Sequence, residues 1–347
     1  MSKIKRKSAL GLVFTLLFVA ILGVLKPIEA KAWANLTIGQ FDTVYEHNGS
    51  KKVTYKLVLP SSGKLTQNTS VTGENLNFYI YDASENQIEN LFGTATNTYT
   101  YDIDLIGGEY YIVVDSFWNN TAANFKWIFT PSEETFNETQ DERNNDLTNK
   151  FPINLGETVK GQFARNDNVD YYDFSVNKTG AFNLKLTAKM EGMEISLLND
   201  EGNYNYKVSD IAKGTKTFTF QIPKGNYSLM CSGKKTGNYQ ITTSFAGGPS
   251  KVKLTSVKNL KGGKLKATWK KGKAVDGYEV QISTSGDFDS NVTSKLIKGA
   301  KKTSFTFKGL NTWGTYTYYC RVRAYKEKNK IKAYSDWSNE KEITIKK

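Results

Sequence analysis

The sequence predicts an all-β chain of tandem antiparallel β-sandwiches behind a secretion signal. Three observations predict it. Beyond the first 32 residues no segment carries a helical period, whereas short runs alternate apolar and polar residues with a period of two. Two long segments match each other at a constant offset. The chain is rich in Tyr (20), Phe (19) and Gly (28) and poor in Pro (6), a balance that suits pleated, half-buried strands joined by tight turns.

The first element is the signal. Lys3, Lys5, Arg6 and Lys7 precede an uncharged apolar run from Ala9 to Leu25, and Ala30-Lys31-Ala32 supplies the small-x-small pattern of a cleavage site. This reads as a signal peptide over residues 1–32, with Trp33 opening the mature chain; an uncleaved N-terminal anchor is the alternative. The protein is therefore expected outside the cell, secreted or associated with the cell wall. Only Cys231 and Cys320 are available for a disulfide. They fall in strand-like stretches of different domains, so two buried free thiols are expected.

The repeat defines the next two elements. Tyr55 aligns with Tyr172, Gly63 with Gly180, Phe78 and Ile80 with Ile195 and Leu197, Ile103 with Phe220, and Gly108 and Tyr110 with Gly225 and Tyr227; every pair is 117 positions apart. A run of ungapped matches of this kind marks a tandem duplication. Within each copy the apolar residues recur every second position, and Gly107-Gly108 and Lys224-Gly225 stand where a hairpin needs a turn. Each copy is thus expected to form a small antiparallel sandwich.

The second copy contains Gly156-Glu157-Thr158, then Asp167-Asn168-Val169-Asp170-Tyr171-Tyr172-Asp173-Phe174, Asn199-Asp200-Glu201-Gly202 and Lys224-Gly225-Asn226-Tyr227. On these residues it resembles the bacterial pre-peptidase C-terminal (PPC) domain, a jelly-roll-like sandwich appended to secreted proteases and collagenases. The first copy is similar but diverged; it keeps Gly63, Phe78, Asp82 and Gly108-Glu109-Tyr110 and lacks the Asp-x-x-Asp-Tyr stretch. The last element contains Trp269, Gly277-Tyr278-Glu279-Val280, Leu310, Tyr318, Arg321-Val322-Arg323-Ala324-Tyr325 and Tyr334-Ser335. It resembles a fibronectin type III domain of the Lys-rich kind found in Gram-positive surface proteins. Trp269 is expected between its sheets, with Tyr318 or, counting forward from Leu310, Tyr316 as the tyrosine corner. The expected organisation is a signal over 1–32, a diverged PPC-like sandwich over 33–135, a second with its acidic linker over 136–246, and a basic fibronectin type III domain over 249–347.

Charge follows this division. The chain holds 47 basic and 34 acidic residues, net +13, and the last domain alone holds 23 and 8. Its lysines cluster as Lys261, Lys264, Lys266, Lys270, Lys271 and Lys273, and again as Lys326, Lys328, Lys330 and Lys332. Such a field favours anionic wall polymer, acidic polysaccharide or a phospholipid surface. Nucleic acid is not expected as a partner of a secreted chain.

Two candidate sites follow. The resemblance to PPC domains implies calcium, held by acidic linker residues and a later Asp pair: here Glu142, Asn145, Asp146, Asp167 and Asp170. A hard cation wants six to eight oxygen ligands, and Arg143 in their midst departs from the pattern. A solvated acidic linker with turn-forming Asp and Asn is the alternative. The second site is an aromatic face on copy one. If Phe78, Ile80, Ile112 and Val114 point inward, Tyr79, Tyr81 and Tyr111 point outward, and Trp118 adds area on a nearby loop. Rigid exposed aromatics suit stacking on sugars or gripping an extended peptide; ordinary cross-strand packing is the alternative.

Catalysis is not expected. His47 is the only histidine, so no Ser/His/Asp, Cys/His or zinc cluster can be assembled from it and two strand cysteines. The expected function is a monomeric, non-catalytic adhesion protein that binds extracellular polysaccharide or a matrix or surface protein, with the basic domain as spacer or anchor to anionic cell-wall polymer. A structural spacer, or an accessory subunit of a separate secreted hydrolase, is the alternative.

Overall fold

The computed structural model describes residues 34–36, 38–39, 41–45, 51–72, 76–93, 98–116 and 122–345. The signal segment, His47 and Trp118 lie outside these residues. Among the described residues there are 26 strands and no helix.

Copy one comprises β1 (Ala34–Asn35), β2 (Phe41–Tyr45), β3 (Lys51–Leu59), β4 (Gly63–Thr72), β5 (Leu76–Asp82), β6 (Gln87–Gly93), β7 (Thr98–Leu105), β8 (Gly108–Ser116) and β9 (Ala122–Pro131). They form two sheets, in the orders β1-β3-β8-β5-β6 and β2-β9-β4-β7. Period-two alternation turns Phe78, Ile80, Ile112, Val114, Phe125 and Trp127 into one core, where Phe78 meets Phe125 and Trp127 edge-on at 5.4 and 6.0 Å.

Copy two comprises β10 (Phe151–Pro152), β11 (Thr158–Phe163), β12 (Val169–Val176), β13 (Gly180–Ala188), β14 (Met193–Asn199), β15 (Tyr204–Ile211), β16 (Gly214–Ile222), β17 (Gly225–Gly233) and β18 (Gly237–Gly247). Its sheets run β10-β12-β17-β14-β15 and β11-β18-β13-β16, strand for strand the arrangement of copy one. The offset of 117 extends to a detail that no motif carries. The short β1 lies parallel to β3 with Ala34 beside Tyr55, and β10 lies parallel to β12 with Phe151 beside Tyr172. In both copies a buried tyrosine closes the hairpin before its strand: the Tyr110 hydroxyl donates to the Ile106 carbonyl at 2.8 Å, and that of Tyr227 to Pro223 at 2.9 Å.

The third sandwich comprises β19 (Leu254–Leu260), β20 (Lys264–Trp269), β21 (Gly277–Ser283), β22 (Thr293–Lys298), β23 (Ser304–Phe307), β24 (Tyr316–Lys328), β25 (Ile331–Tyr334) and β26 (Lys341–Ile345). One sheet is β19-β20-β23; the other is β22-β21-β24-β25, with β26 also on β24. Trp269 fills the core 5.4 Å from Tyr278. Tyr318 is buried and its hydroxyl accepts the Asn311 N–H at 3.3 Å, whereas Tyr316 is exposed, so the corner belongs to Tyr318. On the outer side of β24, Arg321 stacks between Phe288 and Trp337, and Arg323 between Trp337 and Tyr334, each at 3.8–4.3 Å.

Copy two and the third sandwich meet at Gly248, where an added Cβ would stand 1.9 Å from the Tyr334 carbonyl oxygen. Beside this contact the Gln221 side chain donates to the Lys332 carbonyl and accepts from the Tyr334 N–H, at 2.7 and 3.2 Å. The segment Gly247-Gly248-Pro249 is therefore a packed joint.

Cys231 and Cys320 are buried free thiols. Burial pushes the Cys320 thiol up to about 12 and raises Cys231 well above the usual thiol range. Neither thiol should react measurably with a soluble disulfide reagent in the native protein, and both should react in denaturant. Rapid titration of either native thiol would contradict this packing.

Candidate metal centre

The linker between the copies is built into both of them. Thr139 forms a parallel bridge with Gly107. The Gly107 N–H donates to the Glu138 carbonyl at 3.3 Å, the Gln140 N–H to the Gly107 carbonyl at 2.8 Å, and the Ser62 hydroxyl to the Glu138 carbonyl at 3.1 Å. Glycine is required at position 108, where φ is +140° and a Cβ would fall 2.7 Å from the Gln140 side chain. The linker backbone is thus fixed on copy one. Copy two meets the same edge, with Arg165 paired to Glu89 and the Gln162 amide donating to Asp104 at 3.1 Å.

This docking turns the Glu138 side chain towards copy two. Asp170, at the start of β12, and Asp167, in the turn before it, come to meet it. Each of the three offers a carboxylate oxygen within 4.8 Å of the others. All are removed from water: Glu138 is 3% exposed, Asp167 2% and Asp170 0%. Tyr239, on β18, donates its hydroxyl to Asp170 and hydrogen-bonds Tyr172 at 2.7 Å, which fixes one Asp170 oxygen. The other Asp170 oxygen has no partner, and both polar atoms of the buried Asn144 amide are likewise without one. Neither Asp167 oxygen makes a hydrogen bond of good geometry, although the Asn145 amide faces it.

The electrostatics follow from this burial. Desolvation, followed by the neighbouring Asp167, holds the Glu138 carboxyl up at about 8. Burial raises Asp167, and raises Asp170 far above the usual range, with Glu138 adding to the latter. Glu134, nearby in the linker, is pushed to about 7, first by burial. The adjacent cation is Arg143, whose guanidinium donates to the Gln140 and Asn166 carbonyls at 3.2 Å. Ionised, three buried carboxylates beside one arginine would lack positive charge, and the oxygens of Asp167 and Asp170 left without partners fit a hard divalent cation. Glu138, Asp167 and Asp170 would hold it, beside the Asn145 amide that faces Asp167.

The sequence-derived set divides here. Asp167, Asp170 and Asn145 lie in this group. Glu142 does not: it is exposed, one turn beyond Glu138. Asp146 is also exposed, and its carboxylate is committed to a local turn, accepting from the Thr148 N–H and hydroxyl at 2.7 and 2.6 Å and from Asn149. Those bonds hold its carboxyl below the usual range. Glu138 and Asn144 are absent from the sequence-derived set. The available signal is the acidic stretch beginning at Glu133, upstream of Glu142 and Asp146.

Tyr79, Tyr81 and Tyr111 share the outer face of the β3-β8-β5 sheet, all half-buried, with Tyr81 directly opposite Tyr111. Tyr81 donates to Gln87 at 3.3 Å, and Tyr111 to Glu109, which also pairs with Lys56 at 2.5 Å. The equivalent residues of copy two, Ser196, Leu198 and Ser228, are buried. There the chain after the acidic run lies along the sheet: Lys150 donates to the Ser228 hydroxyl at 3.1 Å, and Leu147 packs 3.1 Å from the Cβ position of Gly202.

No family model matches this chain, and no curated protein matches it. Similar solved structures include the pre-peptidase C-terminal domain of a collagenase from Bacillus anthracis, at 22% identity over 27% of this chain and 94% of that one, TM-score 0.25. They also include the FN5 domain of Drosophila Lar, at 15% identity over 28% and 98%, TM-score 0.23. A third is the FN1–FN3 segment of chicken CNTN1, at 11% identity over 88% and 97%, TM-score 0.27.

Proposed function

We propose that this protein is a secreted, non-catalytic binding protein whose two related sandwiches are braced by a calcium ion and present a tyrosine-bearing face to an extracellular polymer or protein. One observation carries the reading. Glu138 is anchored through its backbone to copy one, while its carboxylate faces Asp167 and Asp170 of copy two across a buried, donor-rich gap. A cation there ties the copies together, because its ligands come from both sides of the junction. Bracing matters to a tandem binder: two weak faces held in fixed register gain effective concentration that a loose linker dissipates.

The face itself is supported by the contrast between the copies. Copy one keeps half-buried tyrosines where copy two has small or aliphatic residues buried beneath the linker, and among the described residues no such segment crosses the copy-one face. Tyrosine offers a large, stiff contact area at low entropic cost.

Calcium should raise the unfolding midpoint of the chain, by the equivalent of about 2.7 kcal/mol at a hundred times its dissociation constant. Glu138→Gln, Asp167→Asn and Asp170→Asn should each abolish the shift, whereas Glu142→Gln and Asp146→Asn should retain it. Loss of the shift on changing Glu142 alone would move the site to the exposed run. In retention assays on insoluble cell wall, collagen, cellulose and chitin, one polymer should hold the protein at high salt. Replacing Tyr79, Tyr81 and Tyr111 together by alanine should release it. Retention on no polymer, or retention indifferent to the tyrosines, would favour a spacer or an accessory subunit.

A further inference from the structure

Charge in the third sandwich is separated by sheet. From Lys251 to Val275 there are nine lysines and no acidic residue, and from Gly299 to Thr317 three more and none. These stretches contain the whole β19-β20-β23 sheet. Among the described residues the ion pairs of this sandwich, Arg321–Glu340, Arg323–Glu279 and Lys332–Glu327, lie on the other sheet and its edge. On the lysine sheet, Lys258 faces Lys266 in direct cross-strand register, and both are exposed. Like charges placed opposite one another cost stability, and an anionic partner would relieve that cost.

The same sheet ends in an apolar tip. Leu260 pairs with Lys264 at the β19–β20 turn, and Leu265 with Phe307 immediately before Lys308, so Lys261, Lys264 and Lys308 ring one end. The turn is joined to the β23–β24 loop by the Leu310 N–H, which donates to the Gly263 carbonyl at 3.0 Å. That loop carries Trp313, 95% exposed, on a turn in which its N–H donates to the Asn311 side chain at 2.9 Å. Leu260 and Tyr316, each 36% exposed, lie at the same end. Tyr316 is nine residues along β24 from Tyr325, the neighbour of the joint strand β25, which puts the tip about 30 Å from the joint to copy two.

We propose that this tip docks on an anionic lipid surface, with Trp313 and Leu260 entering the headgroup region and the surrounding lysines on the lipid phosphates. The inference is independent of the calcium and tyrosine reading. A soluble anionic polymer would satisfy the lysines but has no use for a protruding tryptophan and leucine. Tryptophan with flanking lysine is the combination that a bilayer interface takes up, because one part of the site seeks the acyl boundary and the other the phosphates.

The test is co-sedimentation of the 34–347 unit with phosphatidylcholine vesicles and with vesicles containing phosphatidylglycerol, with soluble poly(glycerol phosphate) as competitor. Binding should require phosphatidylglycerol and weaken with salt. Trp313→Ala should lower it by about tenfold, and each of Lys261→Gln, Lys264→Gln and Lys308→Gln by about fivefold. All four positions are exposed, and Leu260→Ser supplies a second apolar variant with the same expected loss. Binding to neither vesicle would overturn the proposal. So would vesicle binding that Trp313→Ala and Leu260→Ser leave unchanged and that poly(glycerol phosphate) displaces, an outcome that would assign the lysines to an anionic polymer.

Discussion

Three carboxylates held out of water within 4.8 Å of one another are the feature on which the arrangement of the first two sandwiches depends. Bringing such groups together ionised in a low-dielectric junction costs several kcal/mol per group unless a counter-charge is present. Arg143 supplies one positive charge and directs it towards backbone carbonyls as well. The fold nevertheless commits much local structure to holding these acids in place. A buried tyrosine pair orients Asp170, the Asn144 N–H donates to Glu138 at 3.2 Å, and a glycine-dependent backbone bridge sets the linker. That investment is intelligible if a cation completes the junction.

The duplication explains why the junction is asymmetric. Both copies have the same nine strands in the same order, so both have the same outer sheet face and the same hairpin at Gly108 or Gly225. The hairpin of copy one receives the linker; the outer face of copy two is crossed by it. The side chains differ accordingly, with half-buried tyrosines on the face of copy one and the buried Ser196, Leu198 and Ser228 on that of copy two. The third sandwich repeats this logic at the level of charge: its arginines meet carboxylates and aromatic rings on one sheet, while the ion pairs among the described residues include none from the lysines of the other.

Much of this was legible in the sequence, for identifiable reasons. Period-two alternation and an ungapped 117-residue repeat are local, additive signals, and they mark Phe78 and Ile80 of β5 and Ile195 and Leu197 of β14, all buried. Trp269 was placed by the resemblance of the last domain, whereas the corner stayed open between Tyr318 and Tyr316 because the loop after Leu310 has no period to count by. The candidate site was only half legible. Asp167 and Asp170 were named by the resemblance to PPC domains, on the Asp-x-x-Asp-Tyr stretch. The linker has no period, so nothing in it distinguishes Glu138, which the bridge to Gly107 turns inward, from Glu142 and Asp146, which face water. Asp146 illustrates the ambiguity of its residue type: the same carboxylate that could bind a cation also closes an Asx turn. Trp313 gave no signal, because a single aromatic in a loop is as readily buried as exposed.

Amide hydrogen exchange across residues 138–144, with and without calcium, tests the central claim most directly. If a cation joins Glu138 to Asp167 and Asp170, calcium should slow exchange at Gln140 and Asn144 and at Gly107, their docking partner on copy one, while leaving the strands of the third sandwich unchanged. Exchange at these amides that calcium does not alter, or a uniform change spread over all three sandwiches, would contradict the account.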